Sequence, residues 1–138
     1  EIESMVTDYV KPNGLAFSPD ETALFITDTG GTHELDGPRH MRRHSIGADG
    51  KTLGAGEVFA TSTAGFFDGF RIDTGNRIWT SAMDGVHCYD SAGTLIGKIL
   101  IPEIASNVCF GGLKENRLFI TATTSLYAIY LNVNGSRL

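Results

Sequence analysis

Two oxygen-bearing side chains stand at matching places in the sequence, each directly before a glycine and a short apolar run: Asn13 in "NGLAF" and Asp68 in "DGFRI". An amide oxygen and a carboxylate are hard ligands of the kind that Ca²⁺, Mg²⁺ and Mn²⁺ prefer and that Zn²⁺ also accepts. A cation held there would lower the pKa of a bound water, and Asp68 could then take a proton from that water. The alternative is that Asn-Gly and Asp-Gly are only turn residues leading into strands.

The elements that must position these side chains are strands, because apolar residues alternate with polar ones between turn residues along almost the whole chain. No window of a dozen residues keeps a helical apolar pattern without an interrupting Gly or Pro. The alternation predicts an all-β chain with strands at 5–9, 13–17, 23–28, 41–46, 56–60, 69–72, 77–81, 86–89, 96–101, 108–111, 117–121 and 126–131.

The strands fall into a repeat. The stretches "NGLAFSPDETALFITDT", "DGFRIDTGNRIWTSA" and "SNVCFGGLKENRLFITA" share turn positions and side-chain phase, and each continues into a third strand. Repeated four-stranded antiparallel units are typical of propeller blades, and the alternative is a sandwich of twelve short strands. The repeat predicts a partial β-propeller of three four-stranded blades: 1–12 as the outer strand of a preceding blade, 13–62 and 63–104 as blades, and 105–138 as an incomplete last blade.

Other polar side chains are expected at the same rim. Ser106 occupies the place of Asn13 and Asp68 in the third unit, and Asp28 ends a second strand beside the rim. The long loop "TGGTHELDGPRH" follows Asp28 and contains His33, which could line a pocket. These three are candidate substrate-binding residues, although packing for Ser106 and simple solvation for the loop are the alternatives. His44 and His87, in third strands away from the axis, are expected to be structural.

Composition excludes several classes of function. Lys and Arg total 11 against 16 Asp and Glu, a net charge of -5, which gives no electrostatic footprint for nucleic acid or an anionic membrane. No apolar stretch is long enough to span a membrane. The first residues lack a secretory pattern, which favours the cytoplasm and leaves secretion open. Cys88 and Cys109 lie in alternating apolar runs and are expected to be buried free thiols.

The ordered stretches "PNGLAFSPDETALFITDT", "DGFRIDTGNRIWTSAMDGVHCYDSAGTLIGKILIP" and "SNVCFGGLKENRLFITATTSLYAIYL" resemble the C-terminal half of the SMP-30/gluconolactonase/luciferin-regenerating-like family. The resemblance implies half of a six-bladed propeller. It also implies a lactonase that hydrolyses sugar lactones with one divalent cation, Ca²⁺ first and Zn²⁺, Mg²⁺ or Mn²⁺ as alternatives. Asn13 and Asp68 match two of the family's metal ligands, and Asp68 also matches its general base.

The family's other two ligands would lie upstream of residue 1. The expected partners are therefore a sugar lactone and either an N-terminal half of the propeller or a second half-ring. A non-catalytic propeller that binds a ligand or protein is the alternative function, since one fold serves many roles. A propeller esterase acting on organophosphates or strictosidine-like substrates is a third, but its order of motifs differs.

Overall fold

Alternating residues form eleven strands in the computed structural model, which describes residues 2–136. A single 3₁₀ turn, Gly30–Thr32, interrupts them. The strands are β1 Pro12–Phe17, β2 Ala23–Asp28, β3 His40–Ser45, β4 Glu57–Thr61, β5 Phe70–Ile72, β6 Ile78–Ala82, β7 Gly85–Tyr89, β8 Leu95–Leu100, β9 Ala105–Gly111, β10 Arg117–Ala122 and β11 Leu126–Tyr130.

The strands form three antiparallel sheets in chain order. Sheet 1 is β1-β2-β3-β4, sheet 2 is β5-β6-β7-β8, and sheet 3 is β9-β10-β11 within the described residues. Each sheet is a simple meander, so its first strand lies at one edge and its last strand at the other. Three sheets rather than two rule out the sandwich. The first two sheets have the expected four strands, whereas sheet 3 has three.

Two apolar cores lie between consecutive sheets. The first joins sheets 1 and 2 through residues such as Phe25, Met41, Phe70 and Ile78, all buried. The second joins sheets 2 and 3 through Val86, Val108, Leu118 and Ile120. The first strands meet at these junctions, since β1 contacts β5 and β5 contacts β9. The first strands therefore lie innermost, as blade-opening strands surround a propeller axis.

The segment before β1 forms no strand, although the sequence predicted one at 5–9. A strand needs a partner to share its backbone hydrogen bonds, and no strand among the described residues pairs with the segment. It rests instead on sheet 1. The Tyr9 hydroxyl contacts His44 Nε2 at 2.7 Å, and Arg42 Nη2 donates to the Asp8 carboxylate at 2.8 Å. Its assignment to a preceding blade stays a prediction.

The two cysteines differ in their surroundings. Cys88 is buried and free, as predicted, but Cys109 is exposed and free, so the prediction of burial was wrong for Cys109. Cys109 lies on β9 and pairs with Phe119 on the face of sheet 3 that no further sheet covers. The side chain of β9 that enters the core is the neighbouring Val108, so Cys109 points to the opposite, exposed face of sheet 3.

None of the elements in residues 2–136 is a helix long and apolar enough to cross a membrane.

Candidate active site at the inner rim

The first strands bring three predicted residues to one rim. Asn13 lies in β1, Ser106 lies in β9, and Asp68 precedes β5 by two residues. Because β5 contacts both β1 and β9, the three positions follow one another along the inner edges of the sheets. The sequence prediction that these residues share a rim therefore agrees with the topology.

Glycines bring the backbones at this rim into close approach. A Cβ added to Gly14 would lie 2.3 Å from the Asp68 carbonyl oxygen. One added to Gly69 would lie 2.0 Å from Asn107 Oδ1. Both distances are far shorter than van der Waals contact. At Gly14 the obstacle is backbone, so only glycine fits there, whereas at Gly69 the obstacle is the Asn107 side chain, which would have to move. Asn13-Gly14 thus lies directly against Asp68-Gly69, which in turn lies against Asn107.

Neither glycine occupies the left-handed region that a turn residue would need. The glycines with positive φ among the described residues are Gly50, Gly65, Gly85, Gly93 and Gly112. Asn-Gly and Asp-Gly are therefore not left-handed turns here, and the alternative interpretation of these pairs loses its main support. The glycines are explained by close packing between consecutive sheets.

A hydroxyl from each second strand fastens the rim. Thr27 is fully buried, accepts a hydrogen bond from Gly14 N at 2.8 Å, and lies 3.4 Å from the Asp68 carbonyl oxygen. Ser81 donates from Oγ to the Gly69 carbonyl at 2.9 Å. Thr121 occupies the third position, with its Oγ1 at 3.0 Å from Ser106 Oγ.

The sequence analysis missed this set of hydroxyls. The signal was present, since "FITDT", "WTSA" and "FITA" each place a small hydroxyl residue near the end of a second strand. Gly69 N also donates to the Ser106 carbonyl at 3.0 Å, which ties sheet 2 to sheet 3. The rim backbone is thus fixed by hydrogen bonds from one sheet to the next.

The side chains of Asn13 and Asp68 remain available to a ligand. Asn13 is exposed and Asp68 is half-buried, and neither side chain is hydrogen-bonded within residues 2–136. By contrast, the buried Asp73 carboxylate accepts bonds from the backbone of Gly75 and from Arg77 and Trp79. Asp68 is therefore distinguished from the structural aspartates by its free oxygens.

These donors suit a hard cation but form an incomplete set. Among the described residues there is no group of three or more His, Cys, Asp or Glu that could hold a metal ion. An amide oxygen and a carboxylate supply two of the six to eight oxygens that Ca²⁺ takes, or two of the six around Mg²⁺. Further ligands would have to come from water, substrate or another polypeptide.

The remaining candidates occupy three different settings. Asp28 is buried, and its carboxylate accepts bonds from the backbone N–H groups of Val10, Lys11 and Gly30 at 2.9–3.0 Å. It anchors the chain before β1 to the loop after β2, so we leave it out of the proposed site. His33 is exposed at the end of the 3₁₀ turn. Ser106 is exposed at the rim.

Both histidines of the third strands are buried and hydrogen-bonded, in agreement with a structural role. His44 bonds to Tyr9 and, through Nδ1, to the Gly54 carbonyl at 2.9 Å. His87 Nε2 bonds to Asp84 at 2.6 Å, and Lys98 donates to the other oxygen of that carboxylate at 2.9 Å. Burial opposes ionisation of Asp84, but the bonds from Lys98 and His87 hold its pKa below the usual value.

Comparison with known proteins identifies relatives of this chain. The profile of the SMP-30/gluconolactonase/LRE-like region matches residues 1–124. A gluconolactonase from Zymomonas mobilis is 31% identical over 134 residues, covering 91% of this chain and 36% of that protein. A lactonohydrolase from Aspergillus oryzae is 28% identical over 92% of this chain and 31% of its own length.

Solved structures agree. A structural-genomics target described as a candidate gluconolactonase superposes with a TM-score of 0.87 at 37% identity, covering 99% of this chain and 44% of that one. A gluconolactonase from Xanthomonas campestris gives 0.80 at 34% identity, with 96% and 40% covered. The chain spans less than half the length of these relatives.

These neighbours are six-bladed propellers, which confirms the predicted fold class of half a six-bladed ring. Three sheets, their meander topology and their inner first strands fit this architecture. The family profile covers most of the chain, including Asn13, Asp68 and Ser106. The chain belongs to the SMP-30/gluconolactonase/LRE-like family.

Proposed function

We propose that this chain supplies half of the active site of a metal-dependent lactonase, which opens a sugar lactone to its aldonic acid. The observation that carries the proposal is the pair of free oxygen donors, Asn13 and Asp68. Asn13 lies in β1 and Asp68 just before β5, and their backbones pack closely at Gly14. Relatives named gluconolactonase and lactonohydrolase support this substrate class.

Asn13 would bind one divalent cation through its amide oxygen and Asp68 through its carboxylate. Ca²⁺ is the first choice because it takes oxygen ligands of this kind, and Zn²⁺, Mg²⁺ and Mn²⁺ are alternatives. When bound, the cation would polarise the lactone carbonyl and acidify water. The ligands still needed would come from an N-terminal half of the propeller or from a second half-ring.

Asp68 would act as the general base. It would accept a proton from the attacking water while the water oxygen bonds to the carbonyl carbon. The ring carbon–oxygen bond then breaks, and the ring oxygen takes up a proton to leave a hydroxy acid. A positioned base is worth about 10²–10⁴-fold in rate. Ser106 and His33, both exposed, would contact the substrate's hydroxyl groups.

The proposal is tested by hydrolysis of glucono-1,5-lactone with the assembly that the purified chain forms. We expect activity that a chelator removes and added Ca²⁺ restores, and a loss of about 10²-fold or more in Asp68→Asn. Asp90→Asn is the matched control, because Asp90 caps the β7–β8 turn by accepting from Ala92 N and Thr94 N. Activity that survives both the chelator and Asp68→Asn would refute the proposal.

A non-catalytic binding propeller is the second candidate, favoured by the incomplete ligand set within residues 2–136. Such a protein would bind its ligand at the same rim without hydrolysis. A chain that binds one cation through Asp68 yet hydrolyses no lactone, even in an assembly that supplies the missing metal ligands, would support this candidate instead.

A further inference from the structure

A pocket lies between sheets 2 and 3, just outward of the inner rim. It is formed by the β6–β7, β8–β9 and β10–β11 connections and has a volume of about 520 Å³, which is in the range of small-molecule sites. Strand pairing places all three connections at the end of the sheets where Asp68 and Ser106 lie. There β6 ends beside the start of β5, β8 ends beside the start of β7, and β10 ends beside the start of β9.

The walls of this pocket combine apolar side chains with two hydroxyl groups. The apolar members come from sheet 2 and the β8–β9 connection, and the hydroxyls come from the β10–β11 connection: Met83, Ile101, Pro102 and Ile104, with Thr123 and Thr124. Met83 is 52% exposed and Ile104 is 51% exposed, so both present apolar surface to a ligand. The flexible thioether of a methionine adapts to ligands of different shape. An apolar lining with a few polar groups is the usual composition of a site for an organic molecule.

Glu103 braces the pocket from below its apolar wall. Its Oε2 accepts hydrogen bonds from Thr124 N at 2.7 Å and from Thr124 Oγ1 at 3.2 Å. Its Oε1 accepts from Ser125 Oγ at 2.5 Å and from the Tyr127 hydroxyl at 2.7 Å. Both carboxylate oxygens are therefore used within the chain. The β8–β9 and β10–β11 connections are thus fixed relative to each other before a ligand binds.

Two sides of the pocket adjoin the segment that carries Asp68. The Met83 side chain lies against Gly65, three residues before Asp68, where an added Cβ would overlap Met83 Cγ and Sδ. On the other side, Gly69 N donates to the carbonyl of Ser106, which lies at the start of β9 directly after the β8–β9 connection. A molecule in the pocket therefore lies next to the segment that carries the proposed general base.

We infer that this pocket binds an alkyl or aryl substituent on the ring of the lactone that Asp68 acts on. That the ligand is a lactone rests on the proposed function, whereas the apolar site does not. None of the residues that line the pocket is Lys, Arg or His, and its one carboxylate is fully hydrogen-bonded. A charged substituent would thus lose hydration without gaining an ion pair. An apolar substituent gains affinity instead, by about fourfold for each methylene that is buried.

The methionine methyl groups report directly on the pocket. The chain has three methionines, of which Met83 lines the pocket, Met41 is buried in the core between sheets 1 and 2, and Met5 is exposed before β1. We expect δ-decalactone to shift the ¹³C-methyl resonance of Met83 to saturation and to leave those of Met41 and Met5 in place. A chelator in the sample prevents metal-dependent turnover. δ-Valerolactone has the same ring without the pentyl chain and should bind at least about tenfold more weakly, since burial of two chain carbons gives that factor.

Two isoleucine variants locate the binding. Ile104→Ser removes part of the apolar wall at a half-exposed position outside the strands, so it should leave the fold intact and weaken δ-decalactone binding about fivefold or more. Ile96→Ser is the matched control, because Ile96 is 53% exposed and lines a different groove beside Trp79. The inference is overturned if Met83 does not shift, if δ-valerolactone binds as tightly as δ-decalactone, or if Ile96→Ser weakens binding as much as Ile104→Ser.

Hydrolysis separates this inference from the proposed function. In an assembly that hydrolyses glucono-1,5-lactone, Ile104→Ser should lower the ratio of kcat/KM for δ-decalactone to kcat/KM for glucono-1,5-lactone about fivefold, mainly through KM. Ile96→Ser should leave that ratio unchanged. An equal ratio in Ile104→Ser and the wild type, or no hydrolysis of δ-decalactone by this assembly, would overturn the inference. An assembly that binds δ-decalactone at Met83 and hydrolyses neither lactone would refute the proposed lactonase and support the apolar site.

Discussion

Replacing Gly14 with alanine tests how the rim is built. The added Cβ would lie 2.3 Å from the Asp68 carbonyl oxygen, 3.3 Å from the Asp68 carbonyl carbon and 3.2 Å from Phe70 Cδ1. Two of these atoms belong to the backbone, so the clash cannot be relieved by turning a side chain. Sheets 1 and 2 would have to move apart at the inner edge, which also weakens the hydrogen bond from Gly14 N to Thr27.

Overpacking of this kind costs about 1–3 kcal/mol in free energy of unfolding. For a chain of this size, each kcal/mol lowers the Tm by about 3–5 °C. We therefore expect Gly14→Ala to melt about 3–15 °C below the wild type in thermal unfolding followed by circular dichroism. Because Asn13 and Asp68 would shift relative to each other, any cation affinity should fall as well.

Two matched glycine variants calibrate the result. Gly97→Ala places a Cβ in open space within a strand, so it should be neutral or more stable by up to about 1 kcal/mol. Gly69→Ala meets a side chain, Asn107, which can swing away, so its loss should be smaller than that of Gly14→Ala. A Gly14→Ala variant that melted no lower than the wild type and Gly97→Ala would contradict the close approach of the two sheets at Asp68.

Three further predictions concern groups away from the rim. Asp73→Asn should lower the free energy of unfolding by about 1–3 kcal/mol in urea denaturation, because the fully buried Asp73 carboxylate accepts hydrogen bonds from Gly75, Arg77 and Trp79 that an amide cannot all replace; an unchanged midpoint would contradict this. Hydrogen bonds from Ser125, Tyr127 and Thr124 hold the pKa of Glu103 at about 2, below its ordinary 4.5. The contribution of Glu103 to stability is therefore present above pH 4.5 and lost as the pH falls toward 2. The Tm of Glu103→Gln should accordingly depend less on pH over that interval than the Tm of the wild type, and the same pH dependence in both proteins would refute the prediction. Burial raises the pKa of the Cys88 thiol to about 11, whereas Cys109 is exposed. A maleimide should therefore label Cys109 faster than Cys88 in the folded chain, as measured by mass spectrometry of the labelled peptides. Faster labelling of Cys88 would contradict its burial.

Alternation and turn residues predicted much of the fold. The strand predicted at 23–28 has those bounds in the structure, and the others after residue 12 overlap their observed positions. Alternation and turn residues locate these strands because each strand buries one face and pairs with neighbours in its own sheet. The prediction at 5–9 failed because alternation describes a side-chain pattern and does not supply a partner strand. Cys109 was misplaced because alternation does not say which face of a strand is buried, and in β9 that face carries Val108.

The candidate site was less predictable than the fold. Equivalent positions in the repeat brought Asn13, Asp68 and Ser106 to one rim, because the repeat fixes where first strands begin. The burial of Asp28 was not foreseen, since it depends on the backbone amides of Val10 and Lys11 folding back over the strand end. The rim hydroxyls of Thr27 and Ser81 were missed because their partners are backbone atoms before or at the start of first strands, Gly14 and Asp68 for Thr27 and Gly69 for Ser81, and the repeat of small hydroxyl residues was not connected with them.

The most direct test of the central claim is a native mass spectrum of the purified assembly, recorded before and after a chelator and compared with the denatured intact mass. The account predicts one releasable divalent ion per assembly, present in the wild type and in Asp90→Asn and absent in Asp68→Asn. A metal-free wild type, or an ion retained equally by Asp68→Asn, would contradict the assignment of Asp68 as a metal ligand.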